Sequence, residues 1–476
     1  MSTMVYGGSL AALVAAERIA SAGHCVTLVT PSPHLGGHFA GVQLGEARFD
    51  AGLVIFEFGA LNSEQAPDVA SYDRDVRNDC GRFGSVLAGY AESMGVTLSR
   101  IPRLQMWSER GLIPDFVFDT RVEGVRALPI WLREHARTEI DAIVAGGEHP
   151  WHARRKYREP GYEHLSYESA SLANHGVLLH TCFLEPFARK VTGRSSAELL
   201  ALYSRAAWLP LFWPETLKRA FDGATALLPD MPFHVARAGA VSDLVRAIAL
   251  RIRTHPSIDH KIATITGVHA ARDGVDLTTA DGTLRATRLV WGHDLDALAH
   301  AVGVPSAEEI ERSRVVIAIA TVARGDVADP SLGTVMLPQD PALPYRITNQ
   351  STNAGVPDEP FVRLSVEWGA DNAASDDHAL LAGTRDALAR VGMTAPDAEF
   401  VQHKVLRIAR ALVIPNAANR ARIVRVRDDI EGLGLPLHLV APSAGFGVAS
   451  LSDHLVQGLQ VERLVAATRE TQVVAA

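Results

Sequence analysis

The first thirty residues constrain the fold more than any other stretch. Val5-Tyr6-Gly7-Gly8-Ser9-Leu10 runs from apolar residues through a glycine turn into a segment rich in Ala, Leu, Val and Ile. Residues 10–22 carry Glu17 and Arg18 on one side, and Gly23 stands where a helix C-terminus is expected. Cys25-Val26-Thr27-Leu28-Val29 then reads as a strand buried on both faces. Strand, glycine turn, helix and strand in that order predict a parallel βαβ unit. At such a turn the backbone N–H groups of the helix start, aided by the helix dipole, face an anion and can hold a pyrophosphate. Gly7 permits the tight turn, Gly8 follows it, and Ser9 occupies the second glycine position with a hydroxyl able to donate. Ala12 fills the third small position. The acidic residue that usually holds ribose hydroxyls is replaced by Thr30, whose neutral hydroxyl bonds roughly half as strongly.

Bulk properties narrow the function classes. At 476 residues the chain is long enough for two or three lobes, and 47% hydrophobic against 21% charged residues supports a sizeable core. A net charge of -8 argues against a polycation for nucleic acid or membrane surfaces. Cys25, Cys80 and Cys182 are far apart and make no C-x-x-C pair, so a reducing, cytoplasmic setting is expected. The N-terminus has no basic stretch leading into an apolar one, and the uncharged stretch 432–452 is broken by glycines and prolines. No membrane span is expected. There is neither a G-x-S-x-G elbow nor a G-x-x-x-x-G-K-[ST] phosphate loop, and Pro150 between His149 and His152 argues against a metal pair.

After the second strand comes Thr30-Pro31-Ser32-Pro33-His34-Leu35-Gly36-Gly37-His38-Phe39. This segment resembles the N-terminus of the FAD-dependent superfamily that contains amine oxidases, phytoene desaturases, protoporphyrinogen oxidase and UDP-galactopyranose mutase. The resemblance implies that Gly36 and Gly37 lie along an FAD pyrophosphate, with His38 where the family carries arginine. Phe49-Asp50-Ala51-Gly52 is similar to the segment that brings the chain towards the flavin ring. Residues 183–193, with Lys190, resemble a helix–turn of the mutase and protoporphyrinogen oxidase branch. The likeness puts the backbone at Val268 or its neighbour against adenine. It makes Pro344-Tyr345-Arg346-Ile347-Thr348-Asn349 a substrate-facing strand, with Arg346 as a clamp for carboxylate or phosphate beside Tyr345 and Asn349. Ala444-Gly445-Phe446-Gly447-Val448 resembles the closing loop around the flavin, although Ala441-Pro442 replaces the usual Gly-Asp.

The fold implied is α/β: a discontinuous FAD-type Rossmann domain from 1–60, 235–300 and 405–476. A substrate domain combines a helical insertion, 61–234, with a second sheet, 301–404. The activity implied is that of an FAD-dependent oxidoreductase moving a hydride from a small metabolite to the flavin, with no single residue marked as an obligatory base. Two alternatives stand beside it: a flavin-dependent isomerase similar to UDP-galactopyranose mutase, and a flavin-free protein using the same cleft. The expected partner is a small molecule, with a homodimer as a compatible assembly.

Overall fold

The computed structural model describes residues 2–57, 67–72, 79–108, 111–119, 122–156, 158–224, 233–304, 309–356, 359–446 and 450–474. Its N-terminal unit follows the expected order. Strand β1 (Thr3–Tyr6) leads through the Gly7-Gly8 turn into helix α1 (Leu10–Ser21), and strand β2 (Val26–Thr30) returns parallel to β1. Ser9 caps α1, its Oγ accepting from Ala12 N at 3.4 Å. Residues 10–17 of α1 are all buried, because the helix lies between the sheet and the closing helix Leu451–Val474. Gly458 makes that contact close: a Cβ there would stand 2.5 Å from Val14 Cβ.

Three distant parts of the chain complete the parallel sheet. Ile258–Ile262 joins β2, Arg288–Trp291 joins β1, and Leu437–Leu439 adds the far edge. Its strand ends therefore collect turns from the beginning, middle and end of the sequence, the place where open α/β sheets bind ligands. A three-stranded meander, Gly267–Ala271, Gly274–Thr279 and Gly282–Ala286, leads from one inner crossing to the next.

A second sheet has seven strands. In order they are Phe400–Ile408, Val315–Ala323, Phe361–Trp368, Arg346–Asn349, Thr334–Met336, Gln105–Ser108 and Gly111–Pro114. Two features differ from the expected division. The stretch 61–234, read as a helical insertion, lends this sheet its last two strands, and Phe400–Ile408 runs across the division placed at 404/405. Strand pairing decides both: the 105–114 hairpin continues the sheet edge beside Thr334–Met336, and Phe400–Ile408 pairs along Val315–Ala323 at the other edge. Helices Ile130–Ala145, Tyr167–Leu179, Glu185–Thr192 and Pro214–Phe221 supply the helical part. Among the described residues no helix is long and apolar enough to cross a membrane.

Candidate functional site

Asp50 fixes the segment that enters the site. Its carboxylate accepts from the N–H groups of Val241 and Ser242 at 2.9 and 3.0 Å and so caps helix Ser242–Thr254. Two residues on, Gly52 holds φ +85°, and a Cβ there would lie 2.7 Å from the Glu367 carboxyl carbon. Leu53 then donates its N–H to Glu367 Oε1 at 2.9 Å. The Phe-Asp-x-Gly pattern is thus a cap, a left-handed turn and an anchor in succession.

A cavity of about 730 Å³ lies between the parallel sheet and the seven-stranded sheet. One part of its wall is built from helix starts. Ser9 and Leu10 come from α1, Ser450, Leu451 and His454 from the closing helix, and Gly36, Gly37 and His38 from the loop after β2. Ser450 and Asp453 cap the closing helix reciprocally, Ser450 Oγ donating to the carboxylate and accepting from Asp453 N. His38 and His454 face each other edge-on, with ring centroids 6.2 Å apart. His454 is 5% exposed, and its Nδ1 has no hydrogen-bond partner among the described residues. Burial, with His38 beside it, holds the His454 imidazole neutral, with a pKa of about 3.

Another part of the wall is a buried cluster around Glu367. Arg346 clamps its carboxylate through Nε and Nη2 at 2.8 and 2.6 Å, and the Tyr345 hydroxyl donates to Oε2 at 2.8 Å. Desolvation beside this carboxylate raises the Tyr345 phenol well above its usual range. Phe118 underlies the Arg346 guanidinium at 5.3 Å and stacks on Trp208 at 4.6 Å. Trp208 reaches the cavity from a left-handed backbone position, φ +58°, which a bulky residue adopts only under strain. Asp294, Asp296, Arg312 and Arg410 also touch the cavity and are tied to one another in ion pairs.

Residues 5–72 match the NAD(P)-binding Rossmann-like domain family. No curated protein matches the sequence. Among solved structures, reduced UDP-galactopyranose mutase superposes with a TM-score of 0.72 at 14% identity, over 98% of this chain and 94% of its own. Cyclohexylamine oxidase from Brevibacterium oxydans IH-35A gives 0.62 at 13% identity, over 99% of both chains. The CLA-producing fatty acid isomerase from P. acnes gives 0.55 at 12% identity, over 98% of both. The chain carries the fold of the FAD-dependent amine-oxidase superfamily. At 12–14% identity the likeness is one of architecture.

Against that superfamily's cofactor, the two halves of the site differ. Ser9, Gly36, Gly37, His38, Gly445 and Phe446 all line the cavity, as do Tyr345 and Arg346. The helix starts that line the cavity, and His454 Nδ1, which has no partner among the described residues, suit the phosphate and ring half of a flavin nucleotide. Gly7, Gly8 and Ala12 shape the turn without lining the cavity, and Gly447 and Val448 lie outside the described residues. Ala441 keeps a left-handed φ of +58° despite its Cβ, held there by its N–H bond to Gln457 Oε1 at 2.8 Å.

The adenosine half does not fit. Thr30 is fully buried, donating to Ser32 O at 2.8 Å and pairing with His260 Nε2 at 2.9 Å, so the ribose position is already satisfied internally. The Val268 side chain, as distinct from the backbone expected to meet adenine, is packed in a core cluster with Tyr6, Trp291 and Phe446. Two further expectations are corrected. Asn349 is fully buried and caps helix Gln350–Asn353 by accepting from Thr352 N, so it faces no substrate. Arg346 lines the cavity, but Glu367 already occupies the fork meant for an anionic substrate. Lys190 points its ammonium at the Leu337 and Pro344 carbonyls and braces the strand that leads to Tyr345. Sequence reasoning missed Trp208, Glu367 and His454. The resemblance makes Arg346 a clamp for a substrate; that its fork meets Glu367 instead, 21 residues on, is fixed by strand register.

Proposed function

We propose that the chain is a flavin-dependent oxidoreductase acting on a small polar metabolite inside this cavity. One observation carries the proposal: a single space of about 730 Å³ joins a wall suited to a nucleotide phosphate to a buried Tyr–Arg–Glu cluster. Its size is that of a ligand site. A flavin held there supplies hydride acceptance or release at its ring.

The remaining work falls to the chain. Leu53, Val54, Ile55, Val315 and Ile317 give the cavity an apolar wall that keeps water from the reacting atoms. Glu367 receives hydrogen bonds from Leu53 N, Tyr345 and Arg346, and this holds it as an acceptor fixed in place. Its role is to fix Tyr345 and Arg346 in the cavity wall, in keeping with chemistry that needs position more than a strong base. Trp208, stacked on the Phe118 ring that underlies Arg346, bounds the same space.

The absorbance spectrum of the protein as purified tests the proposal. Flavin bands, or their appearance after incubation with flavin and desalting, are the expected result. A colourless protein that retains no added flavin overturns it and favours the flavin-free binding protein. The isomerase alternative is favoured by the likeness to a redox-neutral mutase, and turnover of a sugar nucleotide by dithionite-reduced protein without net redox change would select it.

A further inference from the structure

We infer that the flavin taken by this cavity lacks the adenosine half, so that the nucleotide is FMN and not FAD. The inference rests on the flavoenzyme reading above and deepens it.

Three side chains close the adenosine position, each from a different element. Tyr6, the last residue of β1, is 1% exposed and lies against Trp291 with ring centroids 4.5 Å apart. Its hydroxyl takes the Ile265 N–H at 3.3 Å, a main-chain donor in the stretch just before Val268. Thr30 ends β2 with its hydroxyl committed to Ser32 and His260. Trp291 is fully buried at the end of the neighbouring strand, where His293 packs edge-on to Tyr6 at 5.5 Å. Opening this position would uncover a buried aromatic pair and strip a satisfied hydroxyl of its partners, both unfavourable.

The phosphate position is built differently. Ser450 and Asp453 cap each other there, but His454 is more than nine-tenths buried, lines the cavity beside two helix starts, and its Nδ1 has no hydrogen-bond partner among the described residues. One phosphate monoester satisfies that arrangement, with the ribityl chain and ring continuing towards Leu53 and Tyr345. The absence of a carboxylate at position 30 then follows from the same cause, since no ribose needs to be held there.

Titration of the full-length protein with FMN, FAD and riboflavin, followed by quenching of flavin fluorescence, tests the inference. The expected result is FMN binding at least about tenfold tighter than FAD, and riboflavin about tenfold or more weaker than FMN for want of phosphate contacts. FAD binding as tightly as FMN overturns the inference and leaves the flavoenzyme reading intact. Failure of all three to bind overturns that reading itself. His454→Ala is expected to weaken FMN about tenfold without changing riboflavin, and an equal loss for both would remove His454 from the phosphate. A Tyr6→Val, Thr30→Glu double variant is expected to move the FAD-to-FMN preference at least about tenfold towards FAD. The wild-type titration decides the matter even where a variant fails to fold.

Discussion

At the scale of single residues, the site depends on a few positions that admit no ordinary substitute. Gly52→Ala would add a Cβ at φ +85° against the Glu367 carboxylate. A loss of about 1–3 kcal/mol is expected in urea unfolding, together with weaker flavin retention. Arg346 and Glu367 form a buried ion pair, 7% and 3% exposed. Removing either alone, as Arg346→Ala or Glu367→Ala, should cost about 3–5 kcal/mol because the survivor is left charged and unpaired. Replacing both by apolar residues, Arg346→Met with Glu367→Leu, should cost clearly less than the sum, a difference that denaturant midpoints can read. The glycine turn at Gly7 and the loop at Gly36 and Gly37 were legible from the sequence because each is written in consecutive residues. The Glu367 partnership was not, because it depends on which strand of an antiparallel pair places which residue opposite Arg346.

Among the elements, helix Tyr167–Leu179 shows how a buried polar chain ties the helical part together. His175 accepts from Phe212 N at Nε2 and meets Ser171 Oγ at Nδ1, while Ser171 Oγ also meets His180 Nδ1. Both imidazole nitrogens of His175 are thereby used in the neutral form, and burial depresses its pKa to about 3. Unfolding releases a histidine with a pKa near 6.5, so between about pH 6.5 and pH 3 the unfolded chain binds a proton that the folded chain does not. The His175 contribution to stability is present above pH 6.5 and falls by about 1.4 kcal/mol for each pH unit below it. Asp50 and Asp115, raised by burial to about 6 and 7, act in the opposite sense over part of that range. The effect is therefore read as a difference. The stability of wild type should decline more steeply than that of His175→Gln between pH 6.5 and 5 in parallel urea titrations. Sequence periodicity located this helix region but gave no hint of the chain, because His180 joins the i,i+4 pair Ser171–His175 only after the backbone kinks at Gly176, φ +76°.

For the molecule as a whole, the decisive contact is between its first and last helices. Gly458 lets the closing helix approach α1 so closely that a side chain would strike Val14. Gly458→Val should cost about 1–3 kcal/mol by overpacking, and lowered thermal stability with weaker flavin binding would report the displaced helix start that carries His454. The α/β architecture and the recurrence of the cofactor-type lobe late in the chain were readable from motifs at both ends. The membership of the second sheet was not, since the 105–114 hairpin joins it by pairing with a strand more than two hundred residues away. The eroded Thr30 position was visible at once, but that its hydroxyl is taken up by Ser32 and His260 was not, since His260 comes from a strand some 230 residues on.

The meeting of α1 with the closing helix also has a consequence for assembly. One side of the candidate cradle is made by residues 9–10 and 36–38, and the other by residues 450–454, roughly four hundred positions on. The early βαβ unit by itself therefore presents only half of that wall. Any ligand that needs both halves can be held only by a chain in which the two helices have docked, so a truncation that removes Leu451–Val474 is expected to abolish flavin retention while leaving the βαβ sequence intact.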